Sequence, residues 1–300
     1  MSKGSQFWGN ASGKLGQQVL YRAGGEQRAR MHVAKIKNPK TLAQMENRLS
    51  MLNLVSTFRA AKDVIKVSFP NRKSNQSGFN AFVKANKNVN TAVISKGIAD
   101  MGLSVPYNFV MSQGDINIFG AFEHVTLDDL HYFGFPVPVV SQNLNSVNHD
   151  MLSGMSNITS KVQLEQMLAL LGLPTTTRIT IIDATYQDDA FNVVVNQVSS
   201  ETWNDVSSPT ALGMTLVLGD LDWTGPAPFL SIAHEDDPEK MRCVIFSYTD
   251  GNGKLQVTTS RMNLLSDSAE YVEQFLKGGD VYEQVLEDYG YNQGSILATR

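Results

Sequence analysis

The hydrophobic period of this chain changes at Asn38-Pro39-Lys40-Thr41, and that change confines what it can fold into. Upstream, residues 17–22 and 27–33 read as two strands flanking Ala23-Gly24-Gly25-Glu26, where two glycines allow a tight turn. Downstream, Leu42, Met45, Leu49, Leu52, Val55, Phe58, Ala61 and Ile65 recur every three or four positions, which predicts one amphipathic helix of about 25 residues ending near Phe69-Pro70. Asn38 or Thr41 can cap it, Pro39 suits its first turn, and Gln44 stands where a capping-box partner belongs. A short helix should restart at Phe79.

Beyond residue 97 the pattern turns to strands separated by Gly, Pro and Asp. Strands are expected at 103–111, 116–122, 135–140, 178–186, 191–199, 211–218, 241–249 and 254–262. A Ser- and Asn-rich loop should fill 141–160, with a helix over 161–171 and another over 266–289 broken at Gly278-Gly279. With strands outnumbering helices and little βαβ alternation, the expected class is α+β: a mainly β body with an N-terminal β-hairpin and a long amphipathic helix. Three regions follow: a basic hairpin and helical arm over 1–96, an acidic β-rich body over 97–265, and a C-terminal helix and tail over 266–300.

Charge supplies the division at residue 96. Residues 1–96 hold 17 Lys and Arg against three acids, Glu26, Glu46 and Asp63, a balance of +14. The other 204 carry eight bases against 26 acids, a balance of −18, hidden in a net charge of −4. Such polarity concerns partners more than fold: the basic block can meet nucleic acid, or the acidic block of another copy in a head-to-tail contact. In the second hairpin strand Arg28, Arg30 and His32 share one face at period two, while Ala29, Met31 and Val33 take the other.

Catalytic constellations are hard to find. The 42% apolar content excludes wholesale disorder, and a lone cysteine, Cys243, excludes an internal disulfide; set among Met241, Val244, Ile245 and Phe246, it reads as a small buried hydrophobe. His32, His124, His131, His149 and His234 are scattered singly. His234-Glu235-Asp236-Asp237 lacks the His spacing of a zinc helix, and Asp250-Gly251-Asn252-Gly253 reads as a turn without the further oxygens of a calcium loop. Asp188-Asp189 and Asp220-Leu221-Asp222 read as acidic turns, and Trp8, Trp203 and Trp223 as core or interface anchors. P-loop, dinucleotide-binding and nucleophile-elbow motifs are absent. No catalytic residue, metal site or cofactor is expected. No apolar run is long enough to span a bilayer, and the N-terminus lacks the apolar stretch of a secretory signal, so the chain should act where it is made, in a cytoplasm.

The pieces Gly13-Lys14-Leu15-Gly16, Tyr21-Arg22-Ala23-Gly24-Gly25, Arg28-Ala29-Arg30, Asn38-Pro39-Lys40-Thr41-Leu42-Ala43-Gln44 and Gly78-Phe79-Asn80-Ala81-Phe82 resemble a recurring bacteriophage and Bacteroidota pattern over roughly residues 10–90. Together with residues 243–262 and 289–297, they are similar to structural proteins of crAss-like phages that infect Bacteroidota. That resemblance implies a virion component of the collar or tail, made in the bacterial cytoplasm and stacked as a ring beside portal, collar or tail proteins. Such rings imply about twelve copies closed by rotation. Within this expectation Phe7, Trp8, Leu42, Met45 and Leu49 are the apolar anchors of the subunit interface. Arg22, Arg28, Arg30, Lys35, Lys37 and Arg48 steer it. The alternative is a nucleic-acid-binding module using the same basic block on packaged DNA.

Overall fold

The computed structural model describes residues 12–23, 26–32, 41–89, 91–118, 120–127, 130–137, 155–187, 189–203, 214–217, 229–233 and 235–289. The chain is α+β with several antiparallel sheets and an N-terminal hairpin. That hairpin gains a short leading strand. β1 (Gly13–Leu15), β2 (Gln18–Ala23) and β3 (Glu26–Met31) form a three-stranded antiparallel sheet in the order β1-β2-β3.

The expected single helix is α1 (Leu42–Ala60) followed by α2 (Lys62–Ile65), interrupted at Ala61 with φ −112° and ψ 30°. One turn before the break, the Thr57 hydroxyl donates to the Asn53 carbonyl at 3.1 Å, a back-bond of the kind that bends helices. Beyond the break Val64, Ile65 and Phe69 are buried in the main core. Thr41 is the N-cap without a side-chain cap; its carbonyl instead accepts from the Gln44 and Met45 amides. Helices α3 (Gly78–Asn86) and α4 (Lys96–Asp100) are capped by the Ser77 and Ser95 side chains, which accept from the Asn80 and Ile98 amides at 3.1 and 3.2 Å.

Residues 103–122 depart from expectation. Only β4 (Val110–Ser112) is a strand, and residues 116–122 contribute an isolated bridge at Ile116. Pro106 removes a donor and Asn108 adopts a left-handed φ of 59°, so no continuous ladder forms. Two buried asparagines take its place. Asn53 on α1 donates to the Val105 carbonyl at 2.9 Å and accepts from its amide at 2.8 Å. Asn86 on α3 does the same for Val110, at 2.9 and 2.7 Å. Each side-chain amide presents the donor and acceptor that a neighbouring strand would, leaving no buried backbone group of these two residues unpaired.

β5 (Glu123–Leu127), β6 (Leu130–Pro136) and β7 (Met155–Asn157) follow: β5 begins just past the strand expected at 116–122, β6 overlaps the one expected at 135–140 only at residues 135–136, and β7 falls where a loop is expected. The rest of 138–154 lies outside the described residues. α5 (Lys161–Leu170) begins in a capping box between Ser160 and Gln163. β8 (Arg178–Gln187) and β9 (Ala190–Ser199) pair in full antiparallel register, Arg178 opposite Ser199 through Gln187 opposite Ala190. β10 (Thr215–Val217) and β11 (Phe229–Ala233) join β5, β6 and β7 in a sheet ordered β5-β6-β11-β10-β7.

β12 (Asp237–Thr249) is the long central strand. The run expected at 254–262 divides into β13 (Leu255–Val257) and β14 (Ser260–Arg261), with β15 (Asn263–Leu265) just beyond it; they pair with β12, β4 and β12 respectively. The break expected at Gly278-Gly279 separates α6 (Glu270–Glu273) from α7 (Asp280–Asp288).

The sheet of β8, β9 and β12 is buried on both faces. Ile182, Ala184, Phe191, Met241, Cys243 and Ile245 pack among the helices of the basic block. Ile179, Ile181, Val198, Val244 and Phe246 pack against α5, Phe133, Leu230 and Ile232. The helical part of 1–96 is therefore a layer of the body and not an appendage to it, because the central sheet needs an apolar cover on each side. At the seam of the layers Arg242, directly opposite Asp183, reaches its carboxylate from Nε at 2.6 Å and donates from Nη1 to the Ile232 carbonyl at 2.6 Å.

The Asp250–Gly253 turn is built as the sequence suggests. The Asp250 carboxylate accepts from Gln256 Nε2 and from the Lys254 and Asn252 amides, each at 2.9 Å. These bonds, Gln256 first, hold its pKa below the ordinary carboxylate value. A depressed folded pKa adds stability above the unfolded value, and that contribution is lost as pH falls through the folded one. Asp250→Asn should therefore lower the urea midpoint at neutral pH, with the gap to the native protein closing in acid below the ordinary Asp value of about 3.9. Urea titrations across that range measure it; a gap independent of pH would sink the assignment.

Candidate interface

Pairing fixes the two faces of the N-terminal sheet. Lys14 opposes Val19, Val19 opposes Arg30 and Tyr21 opposes Arg28, so these five residues share one face. Arg28 lies 3.6 Å from Glu26, and the Arg30 guanidinium sits over the Tyr21 ring at 5.8 Å. The other face carries Leu20 opposite Ala29 and Gln18 opposite Met31, the division of Arg28 and Arg30 from Ala29 and Met31 that the alternation predicts. Arg22 is exposed on this second face, opposite Gln27, and so stands apart from the arginine row.

Among the described residues, none of the sheet belongs to an apolar cluster, although Leu20 is buried. Met31 on the second face is 62% exposed. Among the described residues, β1 and β3 each pair only with β2.

The helical anchors are placed differently. Met45 and Leu49 are fully buried within the chain itself, packed with Val93, Tyr282, Val285 and Leu286, and Leu42 is half-buried against them. The apolar face of α1 at these positions is covered by α7, so Met45 and Leu49 have no surface left to offer a neighbour. Tyr282 also donates from its hydroxyl to Glu46. Arg48 is exposed on α1. Phe7, Trp8, Lys35 and Lys37 lie outside the described residues, as do Trp223 and Asp220-Leu221-Asp222; Trp203 is a core residue.

One juxtaposition escaped the sequence reading. His124 and His131, seven positions apart in the sequence, face each other across the β5–β6 pair with His124 Nε2 2.8 Å from His131 Nδ1. His124 Nδ1 is 2.9 Å from the Asp267 carboxylate, and its ring stacks on Phe133 with centroids 4.5 Å apart. The signal that could have found it is a seven-residue spacing, which the β5–β6 register turns into neighbours on one face. Among the described residues these rings hydrogen-bond only to each other and to Asp267, and no hydroxyl or thiol bonds to them. Cys243 is fully buried at the central sheet, where burial first and the Asp183 charge second push its thiol pKa far up and keep it protonated. Among the described residues no three His, Cys, Asp or Glu side chains are grouped to hold a metal ion, and no helix is long and apolar enough to cross a membrane.

The chain matches no protein-family model, no curated protein and no solved structure.

Proposed function

We propose that this chain is a non-enzymatic bacteriophage virion structural protein, a multi-copy ring component of the portal-proximal collar or tail assembled by head-to-tail subunit contacts. The observation that carries the oligomeric part is the N-terminal sheet: outside every apolar cluster of the described residues, cationic on one face, with Met31 bare on the other. A neighbouring copy that covers Ala29 and Met31 gains apolar burial, while Arg28 and Arg30 select the partner and set its register. The virion assignment rests on the resemblance of residues 10–90 and on the charge polarity of the chain.

Arg28→Glu with Arg30→Glu tests it. Because the sheet lies outside the core, the double variant should keep the native unfolding midpoint to within about 0.5 kcal/mol. It should lose the rings that electron microscopy of the native protein is expected to show. Native-like rings from the variant, or absence of the chain from purified particles, overturns the reading.

The arginine row shared by Lys14, Arg28 and Arg30 also favours a second reading, a module that contacts packaged DNA. Titration with duplex DNA at two salt concentrations separates the two; negligible affinity at low salt removes this one.

A further inference from the structure

The acidic half of the chain presents a charged face on α7. Asp280, Glu283, Glu287 and Asp288 are all exposed, and among the described residues none of them has an ion-pair partner. Glu287 and Asp288 sit in the last turn with no base beside them, where helix carbonyls already gather negative charge. The opposite face of α7 packs through Tyr282, Val285 and Leu286 onto the first two turns of α1.

A cationic cleft lies past the far end of the same helix. Its volume is about 540 Å³, and its polar lining includes Arg72, Lys73, Lys84, Gln113 and Asp115. Arg72 Nη1 donates to the Phe69 carbonyl at 3.0 Å, which fixes the guanidinium at the wall. Lys73 and Lys84 have no counter-ion among the described residues. Asp115, the one carboxylate in the lining, already accepts from Asn71 at 2.7 Å and Lys254 at 3.3 Å. Phe69 places the cleft at the C-terminal end of α1, since it meets Phe82, and Phe82 meets Phe58.

We propose that this cleft receives the acidic face of α7 from a second copy of the chain, an inference that rests on the oligomeric reading above and names its second contact. The 19 residues of α1 rise about 28 Å, so the two patches sit at opposite ends of one strut and are satisfied between copies. Unlike surfaces meeting head to tail generate a closed ring or an open filament. Carboxylates suit the cleft better than nucleotides do, because its only aromatic ring, Phe69, is 3% exposed and gives a base nothing to stack on.

Sedimentation velocity of the full-length protein at low and high salt tests this. Lys73→Glu with Lys84→Glu, and separately Glu283→Lys with Glu287→Lys, should each weaken assembly at least about tenfold while thermal unfolding stays native. An equimolar mixture of the two variants, or all four substitutions in one chain, should restore it, since every contact again joins opposite charges. Native assembly by either double variant, or no rescue on mixing, overturns the proposal. If assembly is lost with Arg28→Glu and Arg30→Glu but survives both double variants here, this contact falls and the oligomeric reading stands. A native protein that stays monomeric at every concentration removes both. Duplex DNA binding that Lys73→Glu with Lys84→Glu abolishes, with assembly unchanged, overturns the proposal in favour of a phosphate ligand.

Discussion

Phe82→Ala should destabilise the fold by about 3–5 kcal/mol, read as a fall in the urea midpoint at unchanged slope. Phe82 is fully buried at the centre of an aromatic cluster, with Phe58, Phe69 and Phe109 at centroid distances of 6.1, 6.4 and 5.9 Å. Its ring meets those of Phe69 and Phe109 edge to face, the arrangement that the aromatic quadrupole favours. The cluster joins α1, α3, the segment after α2 and the residue before β4, so the cavity left by alanine would be walled by four separate segments that cannot all collapse into it. Against a total stability of about 5–15 kcal/mol, such a loss would leave a marginal protein. A cost below about 1 kcal/mol would mean that the cluster is not the keystone of the helical layer.

Asn53→Leu is the second large effect, expected at about 2–5 kcal/mol. The substitution keeps the branching of the side chain but removes both of its bonds to the backbone of Val105, which is fully buried, and the loss of each buried partner costs roughly 1–3 kcal/mol. Asn86→Leu should behave alike through Val110. Urea midpoints of the two single variants and the double variant measure this. Near-additive losses are expected because the two asparagines share no bond. Single-variant costs under about 0.5 kcal/mol would show that water replaces the lost side chains.

What could be read from the residues follows the range of their interactions. The β8–β9 hairpin, α5, the Asp250–Gly253 turn and the break before α7 depend on neighbours a few positions away, and periodicity with turn chemistry finds them. The stretch 103–122 does not, because its backbone is satisfied by Asn53 and Asn86 from helices formed far earlier in the chain. The same limit explains the anchors: spacing shows that Met45 and Leu49 share an apolar stripe, but cannot show that residues 282–286 cover it. It explains the cleft too, where Arg72, Lys73 and Lys84 read only as part of a basic block until Gln113 and Asp115 close the far wall.

The joining of α1 to α7 sets the timetable of synthesis. A ribosome must translate from α1 through α7 before Met45 and Leu49 find Val285 and Leu286, so until then the nascent chain carries an oily stripe and is a natural client for chaperones. Closing that stripe is also what brings the acidic helix to its place on the surface. Under the proposed assembly, a chain not yet translated through α7 would be unable to join its neighbours.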